Sequence, residues 1–193
     1  MGTNRTTELF GKFKAKLEAV SGECYRVETA KEAGELVSNV LKQKGVQNVA
    51  LLNASISKKG NFVNQLGEAG IAVKTDHFRE VTPDAQAGIS QVNYAIAELG
   101  TLVQADADAN VDQRLCSTLV PIHVALVYTS RLIPTLMETM ATLHRLPQIP
   151  GFVGFITGPS RTSDIERVLT IGVHGPKQLV VIFVDEEGGD LNG

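Results

Sequence analysis

Arg161 stands between Ser160 and Thr162, directly after the Gly158-Pro159 turn and directly before Ser163, which has Glu166 three residues further on. A guanidinium flanked by hydroxyls on a glycine turn is the set of groups that holds a carboxylate or a phosphate. Upstream, Phe152 to Ile156 reads as a buried apolar strand that Gly158-Pro159 stops. The Ser163-x-x-Glu166 spacing matches a capping box and predicts a helix beginning there. Its unpaired backbone N–H groups and positive dipole end would face the same turn. On this reading Gly158, Ser160, Arg161, Thr162 and Asp164 form an anion site. The competing reading is that Arg161 pairs with Asp164 or Glu166 and only ties the turn down.

Other chemically capable side chains are dispersed. Glu98 lies between Ala97 and Leu99-Gly100, an apolar setting that raises a carboxyl pKa and suits proton transfer. Alternatively, it accepts backbone N–H bonds and holds a bend. Arg114 is a candidate second clamp for a carboxylate, or the partner of Asp112 in a surface ion pair. His123 opens an apolar strand and reads either as a ligand-binding group or as a satisfied core histidine, while His174 supports a turn. Cys24 and Cys116 stand alone, with no Cys-x-x-Cys pair, so they cannot build an iron–sulfur cluster or a zinc ribbon and read as small buried hydrophobes. Neither a His-Glu-x-x-His helix, a Walker loop nor a Gly-x-Gly-x-x-Gly fingerprint occurs. No cofactor is expected, and the purified chain should be colourless.

Composition bounds the class. The chain has 193 residues and a net charge of −3 from 18 basic and 21 acidic side chains, with Lys and Arg scattered, which argues against a nucleic-acid binder. The longest apolar runs, such as Leu179 to Val184, fall far short of the roughly 20 residues a membrane helix needs. A soluble, cytoplasmic protein without membrane insertion is expected.

Helical and strand patterns alternate. Leu9, Phe13, Leu17 and Val20 recur at helical spacing, so residues 1–22 form an amphipathic helical segment ahead of an α/β domain spanning 23–185, with 186–193 a disordered tail. Cys24 to Glu28 is a strand, and Thr29 with Glu32 caps a helix whose apolar face is Ala33, Leu36, Val37, Val40 and Leu41 and which ends at Gly45. Val46 to Leu52 is a strand, a helix runs through Phe62, Val63 and Leu66 to Gly70, and Ile71 to Lys74 is the next strand. This β-α-β-α-β rhythm predicts a mostly parallel sheet flanked by helices on both faces. Tyr94 to Ala97 and Thr101 to Val103 form a bent strand or hairpin around Glu98, Ile122 to Tyr128 is a strand, and Arg131 to Leu143 a helix with Pro134 in its first turn. Val49 to Leu52, Val124 to Val127, Phe152 to Ile156 and Val180 to Val184 should be buried in that one sheet, since they lack one-sided alternation.

The runs from Asn93 to Leu102, Arg114 to Leu119 with Pro121 and His123, Gly158 to Glu166, and Gly172 to Lys177 together resemble the lactate-utilisation protein C family, the LUD domain. Four motifs in the same order carry that resemblance from about Gly88 to Asp185. It implies a fold like that of ribose-phosphate isomerases and CoA transferases (NagB/RpiA/CoA-transferase-like), a place in bacterial oxidation of lactate to pyruvate, and iron–sulfur subunits as partners. It also adds Gly100 and Thr101 to the ligand-binding candidates. Leu99 departs from the family's threonine, Val120 from its first proline, and Asp106 to Asn110 from its glycine-rich connection.

Two functions follow as expectations. The first is a non-redox subunit of a lactate-utilisation system that binds a small carboxylate or the iron–sulfur partners. The second is a stand-alone isomerase or transferase acting on a phosphorylated or CoA-linked molecule through Glu98. Glu98, Ser160 and Arg161 are expected to converge on one cleft.

Overall fold

The computed structural model describes residues 2–106, 111–148, 150–164, 168–171 and 174–186. Helix α1 (Gly2–Glu18) opens the chain and leads to strand β1 (Glu23–Val27). Helix α2 (Ala30–Gln43) starts where the capping box predicts: the Thr29 hydroxyl accepts the Glu32 N–H at 3.2 Å, and the Glu32 carboxylate accepts the Thr29 N–H at 3.4 Å. Strand β2 (Asn48–Leu51), the short helices α3 (Ser55–Lys59) and α4 (Phe62–Glu68), and strand β3 (Ala72–Lys74) complete the first half. A short helix α5 (Phe78–Val81) precedes β4 (Ala87–Gln91), β5 (Tyr94–Ile96) and β6 (Thr101–Asp106). Then come α6 (Val111–Thr118), β7 (Ile122–Tyr128), β8 (Leu132–Ile133), α7 (Leu136–His144), β9 (Phe152–Ile156), β10 (Arg161–Asp164), β11 (Val168–Ile171) and β12 (Gln178–Val184).

Six strands form one sheet in the order β1-β12-β7-β4-β2-β3, and each pairing is parallel. The expected α/β architecture is thus present, and the period-two direction of side chains explains its layers. Ile122, Val124, Leu126 and Tyr128 of β7 face one side and pack with Val37 and Leu41 of α2, Ile56 of α3, and Phe62 and Leu66 of α4. Ala125 and Val127 face the other side, where Phe13 and Leu17 of α1 meet Val181 and Phe183 of β12. Both strands are buried along nearly their whole length, as two-sided cover requires. Phe13 and Leu17 are fully buried, and each contributes about 1.5–3 kcal/mol by leaving water.

Three expectations are corrected. Phe152–Ile156 does not join the parallel sheet; as β9 it is the edge of a second, four-stranded sheet in the order β8-β5-β6-β9, pairs antiparallel with β6, and is only partly buried. An apolar run by itself does not say which sheet it joins, and the β5–β6 hairpin offers the nearer partner. Ser163 does not begin a helix: Arg161–Asp164 is strand β10, paired antiparallel with β11, and Glu166 lies outside the described residues. The capping-box spacing is a local pattern, and pairing with the β-branched Val168–Ile171 run overrides it. Helix α7 begins at Leu136, not Arg131, because Pro134 holds Ile133 extended and Thr135 takes the N-cap, accepting the Glu138 N–H. The expected tail at 186–193 lies outside the described residues from 187 onward.

The two sheets meet through α1. Gly100 (φ 65°) and Gly158 (φ 72°) both adopt left-handed backbone, and both lie against the C-terminal end of that helix. A Cβ on Gly100 would sit 2.6 Å from the Leu17 nitrogen, and one on Gly158 would sit 2.8 Å from a Val20 methyl. The strands carrying them are joined side by side, with the Thr101 and Thr157 hydroxyls 2.8 Å apart. Gly100→Ala is therefore expected to lower unfolding free energy by at least about 2 kcal/mol, from left-handed strain plus a backbone collision. Chemical denaturation measures the loss, and early proteolytic cleavage within α1 would show that helix undocking first.

Candidate functional site

A groove of about 770 Å³ runs between α6 and β9, closed at one end by the turn Thr157–Arg161 and by His174, Gly175 and Pro176. It lies on the side where β7 and β12 begin, since Leu119 leads into β7 and Pro176 into β12. The Ser160 N–H donates to the Pro176 carbonyl at 2.9 Å, which binds the two turns together. Arg114 reaches the groove from α6, with its guanidinium carbon 4.8 Å from the centre of the Phe152 ring on β9. Among the described residues lining this space are two arginines and one histidine, and no carboxylate. In a chain with more acidic than basic residues, that local excess favours an anion.

The structure brings together Arg114, Gly158, Ser160 and Arg161 of the sequence candidates, and places Thr162 and Asp164 on strand β10 just beyond. Arg161 also has a structural engagement that sequence spacing did not suggest. Its guanidinium donates to the Val20 carbonyl at 2.6 Å and to the Ser21 hydroxyl at 3.2 Å. It holds the end of α1 through these bonds; the competing reading, a pairing with Asp164 or Glu166, falls on side chains outside those described. Ser21 itself has φ 67° at the helix end.

Glu98 does not converge with Ser160 and Arg161 on the groove. One of its carboxylate oxygens accepts the Leu136 N–H at 2.6 Å, and its own N–H donates to the Pro134 carbonyl at 3.1 Å. The carboxylate caps the first turn of α7, where a negative charge also complements the helix dipole. Leu99, the departure beside it, is exposed. Gly100 and Thr101 belong to the packing against α1 described above, and Thr101 is almost wholly buried. Val120, the other departure, packs with Cys116, Phe78 and Ala50.

His123 is fully buried, and its Nε2 lies 2.9 Å from the buried Ser90 hydroxyl. Burial pushes its pKa from 6.5 down to about 4, so the ring is neutral at physiological pH. It stands inside the core layer and does not line the groove. Burial likewise pushes the thiols of Cys24 and Cys116 up to about 12, which makes both unreactive. The groove residues that sequence reasoning missed are Gln104, Ser117, Thr118 and Thr157, with Phe152 and Leu119 on its apolar side. Only Thr157 had a local signal, its place beside the glycine turn; the others depend on how α6 lies against β9.

A six-stranded parallel sheet between helical layers, with a second four-stranded sheet beside it, defines the class as α/β. The family model for the LUD domain matches residues 10–184, and the chain belongs to that family. It is 28% identical over 160 residues to Lactate utilization protein C of Halalkalibacterium halodurans, an alignment covering 79% of this chain and 69% of the relative. To the protein of the same name from Exiguobacterium sp. it is 27% identical over 183 residues, covering 93% of this chain and 79% of the relative. The one from Anoxybacillus flavithermus is 35% identical over 108 residues, an alignment covering 55% of this chain and 47% of the relative. Other alignments with relatives of that name span less than half of the relative's length, 40% for Bacillus pumilus and 43% for Geobacillus sp.. The crystal structure of a DUF162 family protein from Deinococcus radiodurans superposes with a TM-score of 0.63 at 20% identity, covering 93% of this chain and 98% of that one, which shows a shared fold. No helix among the described residues is long and apolar enough to cross a membrane.

Two outcomes follow. Glu98→Ala should cost about 1 kcal/mol of stability, the worth of a helix cap, and denaturant titration reads it directly. For His123 the folded pKa of about 4 lies below the unfolded value, so between these the unfolded chain binds a proton that the native state refuses. Stability is then complete above about pH 6.5 and falls as pH drops toward 4, by on the order of 3 kcal/mol. The slope in this window should flatten in His123→Leu, measured by denaturation at a series of pH values.

Proposed function

We propose that this chain is a non-redox component of a lactate-utilisation system and that it acts by holding an anion in the groove between α6 and β9. The observation that carries the reading is the pairing of Arg114 and Arg161 in one space whose described lining holds no carboxylate. Guanidinium groups accept carboxylates and phosphates alike through paired N–H donors. The Ser160 hydroxyl adds a donor beside them. The family relatives named Lactate utilization protein C support the metabolic setting. Electrons would then pass through iron–sulfur partner subunits, since the two cysteines of this chain are buried, isolated thiols. Glu98 has no chemical part in this reading, because its carboxylate is engaged at the start of α7.

The test is calorimetric titration of the purified chain with lactate, pyruvate and inorganic phosphate. Arg114→Gln should weaken binding by roughly one to two orders of magnitude, the equivalent of a charge-assisted hydrogen bond worth about 1.5–3 kcal/mol. Glu98→Ala, which alters only the α7 cap, should bind as the parent does. Absence of saturable binding for all three anions, or unchanged affinity in Arg114→Gln, would overturn the proposal.

A further inference from the structure

Exposed apolar surface gathers on one side of the small sheet. Of the seven large hydrophobic side chains exposed among the described residues, five lie there: Leu99 in the turn between β5 and β6, Leu136, Met137 and Met140 on α7, and Phe155 on β9. Strand alternation explains the grouping. Phe155 stands opposite Val103 and two places from Val153, and both of these pack with Leu143 of α7, so Phe155 and α7 share the face turned away from Phe152, Gly154 and Gln104. The helix packs on β5 and β8 and leaves Phe155 exposed on the edge strand. Leu99 follows Glu98, whose carboxylate accepts the Leu136 N–H, and so extends the same patch.

Helix α7 carries more apolar surface than one sheet can cover. Thr139 and Leu143 are buried against the fold, while Leu136, Met140, Met137 and Ala141 continue round to the outside with His144 at the end; at about 100° per residue this arc spans roughly 200°. Glu138, Thr142 and Arg145 form the polar remainder. A helix under a single layer needs an apolar stripe of only about 100°, yet Met137 stands 80% exposed. We infer that this face joins two copies of the chain about a two-fold axis, with Met137 and Met140 of each copy packed on Phe155 of the other. One molecule carries both halves of that contact, an uncovered helix flank and an uncovered ring on a sheet edge, which is the condition for an isologous interface. The run Leu136-Met137 with Met140-Ala141 holds no acid or base with which to select a different protein, and homodimer interfaces are the more apolar kind. Area agrees with this occupant: the five side chains expose on the order of 500 Å² in each copy, so a two-fold contact buries about 1,000 Å², the threshold of a specific interface. Thioether sulfur against an aromatic ring adds a favourable contact.

Sedimentation velocity of the purified chain between about 1 and 100 µM reads the association directly, and a dimer is expected within that range. Met137→Lys and Phe155→Lys should each raise the dissociation constant by about tenfold or more, whereas Val63→Lys, at an exposed apolar position on α4, should leave it unchanged. All three positions are exposed, so the core stays intact, and thermal melting of the variants checks this. Mixing Met137→Cys chains with Phe155→Cys chains tests the reciprocal contact: mild oxidation should link one to the other faster than it links Phe155→Cys to itself. Cys24 and Cys116 are buried and stay out of that reaction. A chain that remains monomeric at about 100 µM overturns the inference and leaves the face to a different protein. A dimer that persists unchanged in both lysine variants, or a mixed cysteine pair that fails to link, overturns it as well and puts the interface elsewhere.

Discussion

The close seating of α1 between the two sheets is the constraint on which the rest of the molecule depends. Gly100 ends the turn before β6 and Gly158 lies in the turn after β9, and each lies so near the helix backbone or Val20 that a methyl group would collide. The hydroxyl pair Thr101–Thr157 locks those positions to one another. Arg161 then reaches back to the Val20 carbonyl, so the helix end is held from three sides. Phe13 and Leu17 can bury fully because the backbone beneath them comes this close. Without that seat, the lower face of the parallel sheet and the inner face of the small sheet would have no common filling.

The groove is a by-product of the same arrangement. Docking α1 fixes the Thr157–Arg161 turn, and the turn fixes the open end of β9. Helix α6 packs on the other side, where Cys116 and Val120 meet Ala50 and Phe78. Between these anchors, β9 and α6 cannot close on each other, and the Arg114–Phe152 stack forms one wall of the space left. Arg161 thus stands where packing and ligand chemistry meet: its guanidinium holds a backbone carbonyl while its side chain lines the groove.

Charge placement follows a similar logic. Carboxylates with well-defined partners are engaged in architecture: Glu32 and Glu98 at helix starts, and Asp185 with Arg26 and Thr129 at the far end of the sheet. Each accepts N–H or O–H donors that would otherwise lack partners. The described lining of the groove holds none of them. A net negative chain thereby gathers Arg114 and Arg161 along a groove whose described lining has no carboxylate.

Sequence by itself determined the elements whose signals are local. The Thr29–Glu32 capping box starts α2 because both partners lie within one helical turn, and the apolar runs of β2, β7 and β12 are buried because parallel strands under two layers need no polar face. The resemblance carried by the four motifs identified the family, and Gly158, Ser160 and Arg161 were legible as candidates because they sit together on one glycine turn, while Arg114 came from a motif on helix α6. Tertiary structure decided the rest. Only pairing with β11 made Arg161–Asp164 a strand, since Ser163 and Glu166 satisfy the helix-start pattern equally well on paper. Only the position of α7 turned Glu98 from a candidate acid into a cap, through an N–H 38 residues away in sequence. Phe152, Leu119 and Gln104 entered the groove through a meeting of β9, α6 and β6 that no local pattern encodes, because a groove is defined by the distance between elements and not by the residues within any one of them.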